Sequence, residues 1–421
     1  MNYSFTQKEA VSSTRMLGLA KFLPEFGWKP IILTEKSSSK PDSQFDIIDT
    51  QPDDILIKWK NRFGFKLDET VKDQFGLPIY KGRNAIVDFI LNLWPEIFAY
   101  PDLQKGWRKH AAEAGKKLLH KESIDAIISS SSPATSHLIA KDLKSECRIP
   151  WVADLRDLWT QNHFYQYSNL RRLIERKLEL KTLSAADALV TVSQPLAKKL
   201  KRLHKGKKVY SIPNGFDPGE KGLKVPLKDS FTMTYTGHVY RRKQDPALLF
   251  KALQELFSEK VADSQDVIVD FYGRGYNWLG EDIKKYALQD VVKLHGSISR
   301  DKVLKKQRES QILLLLGWND PQELGIYSGK IFEYLAAQRP ILSIGGYKDV
   351  VSNLLDETKA GVSITSKEEL KRFLVNSYSE WQLNGEVAYK GKISEIDKYS
   401  HKEMAKKFAE VLDKVCEKQS N

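Results

Sequence analysis

Short apolar runs followed by amphipathic stretches recur along the second half of the chain. Runs of four to eight apolar residues that alternate with helical patterns are typical of parallel strands joined by helices. We therefore predict a parallel sheet with helices on both faces. Its strands are predicted at FTMTYT (231–236), DVIVDFY (266–272), VVKLHG (291–296), QILLLLGW (311–318), PILSIGG (340–346) and GVSIT (361–365).

The first half alternates in the same way, but less regularly. Residues 13–27 predict an amphipathic helix that stops at Gly27, and residues 28–34 predict a buried strand. Residues 35–120 are hard to interpret, although 53–60 alternate like a strand. Beyond them, strands are predicted at 124–132, 149–155, 186–193 and 207–212, and helices at 133–146, 168–185 and 194–203.

A chain of 421 residues is long enough for two or three domains. The segment PNGFDPGE (213–220) interrupts the alternation with Pro, Asn and Gly, as a linker does. We predict a first domain at 1–212, a linker at 213–229, a second domain at 230–395 and a C-terminal segment at 396–421 with a final helix.

The chain carries a net charge of +13, with Lys and Arg spread along its length. Such a balance favours anionic partners: nucleotide diphosphates, nucleic acid or an acidic membrane surface. No signature of a nucleic-acid module is present, so nucleic acid is not an expected partner. Cys147 and Cys416 have no His or Cys at ligand spacing, so neither a disulfide framework nor a zinc site is expected.

The N-terminal residues lack the apolar core of a signal peptide, and no stretch reaches transmembrane length. We expect a cytoplasmic protein, either soluble or peripheral at the inner face of a membrane. Residues 84–100 are apolar and aromatic, which suits contact with an anionic membrane interface. The alternative is a helix, or a pair of helices, packed on the domain. The flanking basic residues are Lys81, Arg83, Lys105, Arg108 and Lys109.

Residues 325–346 show the pattern of a loop, a short helix at 328–338 and an apolar strand at 340–344. On a 3.6-residue wheel the helix has two different faces. One holds Ile331, Phe332, Leu335 and Ala336, and the other holds Lys330, Glu333, Tyr334 and Ala337.

The start of this helix combines Ser328 and Gly329 with a lysine and a glutamate. Free backbone amides and the positive dipole end at a helix N-terminus attract phosphates. A carboxylate such as Glu333 can accept hydrogen bonds from two vicinal hydroxyls, as on a ribose. The alternative is a solvated pair between Lys330 and Glu333.

The segment SGKIFEYLAAQRPIL (328–342) resembles the donor site of the family 4 glycosyltransferases, which use nucleotide sugars. The resemblance implies that Glu333 binds the donor ribose. It also implies that the amides around Tyr327, Ser328, Gly329 and Lys330 face the diphosphate. The family often has a second Glu eight residues earlier, where this chain has Gly325, so the donor sugar is left unassigned.

The turn TGHVYRRKQDP (236–246) follows a predicted strand and resembles the family pattern Gly-Arg-x-x-x-x-Lys. Gly237 and Lys243 match, while His238 replaces the Arg, whose role we assign by hypothesis to Arg241 or Arg242. Fixed cations here would neutralise charge on the leaving group. The alternative for a basic turn is solvated surface.

Three further turns follow predicted strands. Gly273 begins a G-x-G that occupies the place of a family loop near the nucleotide, although most such turns are only turns. The turn at 295–296 resembles the family's H-G turn near the donor base. The segment ADLRDLW (153–159) resembles a D-x-R-D-x-W run on the acceptor side, with Arg156 and Asp157 as candidate substrate-binding residues. An Asp–Arg pair that closes a loop is the alternative.

The resemblance implies the GT-B fold, with two Rossmann-like doubly wound α/β domains that face a cleft. The first would bind the acceptor, the second would bind the donor, and the last helix would cross back to the first. A strand normally precedes the first helix in this fold, but only about fifteen residues without an apolar run stand there. Either that first strand is missing, or the true start of the protein lies upstream.

The implied function is that of a retaining, metal-independent, hexosyltransferase-like glycosyltransferase with no cofactor. It would move a sugar from a nucleotide diphosphate sugar to a hydroxyl of a glycan or lipid-linked acceptor, in polysaccharide or glycolipid biosynthesis. Lys243 and Glu333 are the expected catalytic residues. Two alternatives stay open. One is a non-catalytic relative that binds a nucleotide sugar or a partner enzyme, and the other is a GT-B relative with epimerase or phosphorylase chemistry.

Overall fold

The computed structural model describes most of the chain, and its contacts divide that chain into two compact units. The first unit contains Met1–Thr191, Ala197–Ser211 and Phe408–Asn421, and the second contains Val192–Leu196 and Ile212–Lys407. The described residues are 1–5, 11–36, 44–53, 96, 99–163, 165–274, 276, 278–321 and 324–417.

The strands of the first unit are short and parallel. β1 and β2 pair with each other, and β3 to β6 form a four-stranded sheet in chain order. β4 and β5 are buried along their whole length, as expected for a parallel sheet covered on both faces. The bounds are β1 Ile31–Glu35, β2 Asp46–Thr50, β3 Ile127–Ser131, β4 Trp151–Leu155, β5 Ala188–Thr191 and β6 Lys208–Ser211.

Residues 1–3 join these two groups of strands through their backbone. The N–H of Asn2 donates to the carbonyl of Leu33 in β1, at 3.2 Å. On the other side, the N–H of Ser130 in β3 donates to the carbonyl of Met1, at 3.1 Å. Residues 1–3 therefore lie between β1 and β3 and bond to both, which the hydrophobic pattern did not predict.

Helices connect these strands. α1 ends at a 3-10 turn whose last residue precedes Gly27, and this glycine has a φ of 82°, as predicted for the stop. α2 packs against α3 and against β1 and β2. The bounds are α1 Val11–Phe22, α2 Trp107–Lys121, α3 Thr135–Cys147, α4 Asn169–Leu183 and α5 Gln194–Leu203.

The second unit holds a six-stranded parallel sheet in its described part, in the order β12-β11-β10-β7-β8-β9. The chain winds outward from β7 in one direction and then from β10 in the other, which is the doubly wound Rossmann order. The order reverses between β7 and β10. The bounds are β7 Phe231–Thr236, β8 Val267–Tyr272, β9 Val292–His295, β10 Ile312–Leu316, β11 Ile341–Ile344 and β12 Gly361–Ile364.

Both faces of this sheet are covered by helices. Ile312 and Leu314 of β10 belong to one buried apolar cluster, and Leu313 and Leu315 belong to the other, as the two-residue period of a strand requires. The helices are α6 Ala247–Ser258, α7 Leu279–Lys285, α8 Arg300–Arg308, α9 Gly329–Ala337, α10 Val350–Thr358, α11 Lys367–Asn384, α12 Ile393–Asp397 and α13 His401–Cys416.

The predicted strands at 231–236, 266–272, 291–296 and their successors correspond to β7 to β12, with ends that differ by one or two residues. The pattern missed β2 and α2 in the region that was hard to interpret. The strand predicted at 53–60 and most of the apolar segment at 84–100 lie outside the described residues. Within the described part of the chain, the helices are too short or too polar to span a bilayer.

One buried ion pair joins α1 to β4 in the first unit. Arg15 is 2% exposed and Asp154 is fully buried. The guanidinium donates from Nε and Nη2 to the two carboxylate oxygens, at 3.0 and 2.9 Å, and Ser130 Oγ donates to the same carboxylate at 2.9 Å. Asp154 of the ADLRDLW segment is therefore bonded to buried groups inside the first unit.

Removing one partner of this pair is expected to destabilise the first unit strongly, because it strands a buried charge. Asp154→Asn should lower the free energy of unfolding by about 3–5 kcal/mol, measured by urea denaturation. The matched control is Asp142→Asn, which breaks an exposed pair with Arg108 and should cost less than about 1 kcal/mol. Equal losses in the two variants would contradict a structural role for the buried pair.

Candidate functional site

The carboxyl ends of β7 and β10 lie next to each other where the strand order of the second unit reverses. Loops that leave such strand ends form the ligand crevice of doubly wound sheets. Gly237 follows β7, Gly317 follows β10, and α9 begins close by at Gly329. Several residues predicted from the sequence are therefore gathered at this edge.

Gly237 and Gly273 bring the loops after β7 and β8 into backbone contact. The N–H of Gly237 donates to the carbonyl of Tyr272 at 2.8 Å. A Cβ on Gly273 would lie 2.2 Å from the carbonyl oxygen of Gly237, so no larger residue fits without a shift of the loop. Gly237 has a φ of 109°, in the region that favours glycine. The two loops therefore meet through their backbones, and the Tyr276 hydroxyl also donates to the carbonyl of Gly237.

Lys330 extends from the first turn of α9 along Gly237. A Cβ on Gly237 would lie 3.1 Å from the Lys330 ammonium nitrogen. That nitrogen stands 5.1 Å from the centre of the Tyr235 ring, in a cation–π contact. Burial lowers the pKa of Lys330 to about 8, and the charge of Glu333 partly opposes this effect. The site thus holds a partly desolvated cation, which an anionic ligand would stabilise.

Glu333 lies one turn further along α9, and its carboxylate is held by two donors. Arg300 Nη1 donates to one oxygen at 3.2 Å, and Gln307 Nε2 donates to the other at 3.1 Å. Arg300 also lies 3.7 Å from the Glu220 carboxylate. The Glu333 side chain is 26% exposed, and each of its oxygens has a second lone pair for a ligand hydroxyl.

A buried hydrogen-bond network connects this carboxylate to β7. Gln307 Nε2 also donates to Thr236 Oγ1, at 3.0 Å, and the N–H of Thr236 donates to the hydroxyl of Tyr334, at 3.1 Å. Tyr334, which shares a face of the helical wheel with Lys330 and Glu333, is fully buried against the end of β7.

The basic turn after β7 is tied to the loop after β10. The carbonyl of Lys243 accepts the N–H of Asn319 at 2.9 Å, and the Lys243 ammonium lies 5.9 Å from the Trp318 ring centre. His238 is exposed, and its ring contacts that of Tyr240 with 4.5 Å between centres. These contacts place Lys243 at the junction of β7 and β10.

Arg241 and Arg242 are exposed in the same turn. Arg242 has a φ of 67°, which is uncommon for a residue with a side chain. Solvent-exposed guanidinium groups can swing toward a bound anion. Which of the two replaces the missing family Arg stays a prediction.

The residues before α9 contribute in different ways. Tyr327 packs edge-on against Phe332, with 5.5 Å between ring centres, and burial raises its pKa to about 12. Its side chain therefore belongs to the apolar core. Ser328 precedes the helix with extended backbone angles, and Gly329 is the first helical residue. The ligand-binding potential of this segment lies in the backbone amides of the first turn.

Two predicted residues lie in the first unit, at the carboxyl end of β4. Arg156 Nη2 is 2.6 Å from the carboxylate of its neighbour Asp157. Their side chains are 16% and 39% exposed. The pair matches the alternative of a loop-closing ion pair, and its part in acceptor binding stays a prediction.

His295 is the last residue of β9 and is held by the buried carboxylate of Asp270. Its Nε2 lies 2.8 Å from Asp270 Oδ1, and its ring stacks on Tyr272 with 4.3 Å between centres. The other oxygen of Asp270 accepts from Lys228 Nζ at 2.7 Å. This stack gives the edge of the site a flat aromatic surface.

Sequence reasoning missed the residues that hold Glu333. Arg300 is the first residue of α8 and follows the turn at the carboxyl end of β9. Because ligands bind at this edge of such sheets, its place in the sequence could have predicted a role in the site. Gln307 lies within α8 and is fully buried, and neither its type nor its spacing pointed to a carboxylate partner.

The lowered pKa of Lys330 predicts that its burial costs stability. Between pH 8 and the unfolded pKa of 10.5, the unfolded chain binds more protons than the folded one, so the folded state of the parent gains stability as pH rises. Lys330→Met should therefore be more stable than the parent at pH 7, by about 1–3 kcal/mol, with a smaller difference at pH 10. Thermal and urea unfolding at both values measure this, with Lys251→Met as an exposed control. A difference independent of pH would contradict the assignment.

Comparison with known proteins gives a partial family match and a fold. Residues 83–220 match the family model described as Glycosyltransferase Family 4. No curated protein matches the sequence. The fold is similar to that of sucrose-phosphate synthase from Thermosynechococcus elongatus, with a TM-score of 0.59 and 12% identity over 96% of this chain and 93% of that one.

Two further solved structures share the fold. A glycosyltransferase from Rickettsia africae has a TM-score of 0.58 and 15% identity, over 95% of this chain and 94% of that one. HepE from Anabaena, in complex with UDP-glucose, has a TM-score of 0.53 and 15% identity, over 91% of this chain and 99% of that one. At such identities the likeness shows the fold alone, and the predicted α/β fold of the GT-B type is confirmed. The chain has the GT-B fold, and its residues 83–220 are similar to the model of glycosyltransferase family 4.

Proposed function

We propose that this protein transfers a sugar from a nucleotide diphosphate sugar to a hydroxyl acceptor. The main support for the proposal is the position of the Lys330 ammonium close to the backbone of Gly237, where the strand order reverses. One helical turn away, the carboxylate of Glu333 is held by Arg300. A nucleotide diphosphate sugar has a negative diphosphate that suits the ammonium and a ribose with vicinal hydroxyls that suit the carboxylate. The bound UDP and UDP-glucose of HepE, a protein of the same fold, support a nucleotide sugar donor.

In this proposal the diphosphate lies against the glycine backbone at 237 and the first turn of α9. Lys330 and Lys243, with Arg241 or Arg242, neutralise the charge that develops on the leaving diphosphate as the glycosidic bond breaks. Glu333 accepts hydrogen bonds from the ribose hydroxyls, and Arg300 holds its carboxylate in place.

The finer features of the proposal follow from the family resemblance. Transfer retains the anomeric configuration, moves a hexose and needs no metal ion. Residues 230–395 bind the donor, and residues 1–212, with Arg156 and Asp157, bind a glycan or lipid-linked acceptor. The product belongs to a polysaccharide or glycolipid, and the protein works in the cytoplasm at the inner face of a membrane.

One observation favours the alternative of a non-catalytic binding protein. Gly325 stands where the family often has a second Glu, and it has a φ of 94°. A Cβ there would lie 2.7 Å from the Cβ of Pro195. A larger residue would therefore not fit at position 325 without a shift of the loop. The donor site lacks the carboxylate that the family often has at this position.

Binding by the donor site is tested by calorimetry with UDP, GDP, ADP and their sugars. Glu333→Ala and Lys243→Ala should each weaken binding about tenfold to a hundredfold, because each removes a charged contact. Glu281→Ala and Lys251→Ala remove the same groups from exposed helical positions of this unit and should bind like the parent. Equal affinity of all variants would place the nucleotide elsewhere.

Turnover separates the transferase from the binding protein. With the nucleotide that binds best, the parent should release nucleotide diphosphate in the presence of acceptor, and EDTA should leave this rate unchanged because side-chain cations neutralise the leaving group. Proton NMR of the product should show the anomeric configuration of the donor. Tight binding without release for any acceptor tested would favour the non-catalytic alternative.

A further inference from the structure

An open cavity of about 630 Å³ lies in the second unit, near the amino ends of β10 and β11. The last residues of α8, α9 and α11 border it, at Arg308, Ala337 and Asn384. The strands of this sheet are parallel, so their amino ends lie on the side opposite the loops of the candidate donor site. A cavity of this volume is large enough for a small organic ligand. The second unit therefore has a second candidate site, away from the first.

The charged side chains that line this cavity are three cations and one carboxylate. Lys224 is exposed in the segment before β7, and Arg308 is only 9% exposed. Arg339 precedes β11, and its guanidinium lies 4.0 Å from the Glu386 carboxylate. Burial lowers the pKa of Arg339, and the charge of Glu386 partly opposes this effect. The excess of positive charge favours an anionic ligand, and guanidinium groups suit a phosphate in particular.

Two of the lining residues keep hydrogen-bonding capacity that the chain does not use. Nη2 of Arg308 donates to the carbonyl of Glu220 at 2.9 Å, but the buried Nε has no acceptor among the described residues. The buried hydroxyl of Tyr389 has no partner in the same part of the chain. Burial raises the pKa of Tyr389, so this hydroxyl is a neutral donor. Unpaired buried polar groups cost free energy, which a ligand with acceptor oxygens would recover.

A structural role at the helix ends is the alternative for these cations. The carboxyl end of a helix carries partial negative charge, and a nearby Lys or Arg can bond to its last carbonyls. In α9, however, the carbonyl of Ala336 accepts the backbone N–H of Gly222 at 3.0 Å. In α11, the carbonyl of Trp381 accepts the backbone N–H of Gly385 at 2.7 Å. Backbone groups therefore satisfy these carbonyls, which leaves the cations available to a ligand.

The rest of the cavity wall combines neutral polar and apolar groups. Gln338 and Asn384 contribute side-chain amides, which can both donate to and accept from hydroxyl groups. A Cβ on Gly222 would lie 2.8 Å from Oε1 of Gln338, so this amide packs closely against the backbone of the preceding segment. Val225 and Leu227 add apolar surface. Such a wall suits a ligand that has hydroxyls and a carbon skeleton in addition to its phosphate.

We propose that this cavity binds a small phosphorylated sugar. Lys224, Arg308 and Arg339 hold the phosphate, and the amides of Gln338 and Asn384 bond to the sugar hydroxyls. The inference goes beyond the proposed function, because the cavity lies apart from the donor site and its occupancy requires no sugar transfer. It assigns the second unit a ligand other than the nucleotide sugar.

Calorimetric titration with glucose 1-phosphate, glucose 6-phosphate, inorganic phosphate and glucose tests the proposal. At least one sugar phosphate should bind tenfold more tightly than inorganic phosphate, and glucose should bind more weakly than either sugar phosphate. Lys224→Gln and Arg339→Gln should each weaken binding of that sugar phosphate about tenfold, because each removes a charged contact. The matched controls Lys251→Gln and Arg372→Gln change exposed residues of α6 and α11 and should bind like the parent.

The donor site also contains cations, so its own variant is the second control. Lys243→Ala should leave sugar phosphate binding unchanged, and Lys224→Gln should leave nucleotide binding unchanged. The two proposals can therefore fail separately. Urea unfolding of each variant verifies that it is folded, and Lys224 is exposed, so its replacement should leave the unfolding midpoint in place. Absent binding by the parent, equal affinity for inorganic phosphate, equal binding by all variants, or loss of binding in Lys243→Ala would overturn the proposal.

Discussion

The close approach of the Lys330 ammonium to the backbone of Gly237 is the contact on which the candidate site depends. It requires a strand order that places the end of β7 next to the start of α9, and a residue without a side chain at the end of that strand. The same glycine contacts Gly273, so the loops after β7 and β8 lie close together. A ligand phosphate would meet the Lys330 ammonium and backbone groups there, beside the hydroxyl of Tyr276.

Each unit contains a buried charged side chain, but the groups that stabilise this charge differ between the two units. In the second unit the ammonium of Lys330 rests on the Tyr235 ring, and the nearby Glu333 is occupied by Arg300 and Gln307. A cation stabilised mainly by an aromatic face gains more from an anionic ligand than one already paired with a carboxylate. In the first unit, by contrast, Arg15 and Asp154 form a buried two-bond ion pair, which suits a structural role.

The first unit also shows how internal pairing shapes a surface. The carboxylates of Glu175 and Glu179 are drawn inward by Trp159, Arg171 and Thr160. What α4 shows to solvent is consequently apolar and positive, although the helix contains both acids and bases in its sequence. The buried hydrogen-bond donors that pack against this helix therefore determine which of its side chains are exposed.

Local patterns in the sequence were enough to predict the strands and helices of the second unit. Runs such as ILLLL in β10 and the periodic α9 carry this signal within a few residues, because burial on both faces of a parallel sheet demands apolar runs. The segment at 328–342 also predicted Lys330 and Glu333 as site residues, since a helix start with small residues is a local feature. The resemblance of that segment carried the assignment to the GT-B fold.

Only the tertiary structure decided which groups meet. Arg300 and Gln307 reach Glu333 from 33 and 26 residues away, and Arg15 pairs with Asp154 across 139 residues. Residues 1–3 bond to both β1 and β3 through their backbone, although their own pattern is not apolar. Partners of charged and backbone groups depend on the order and register of distant strands, which no window of the sequence contains.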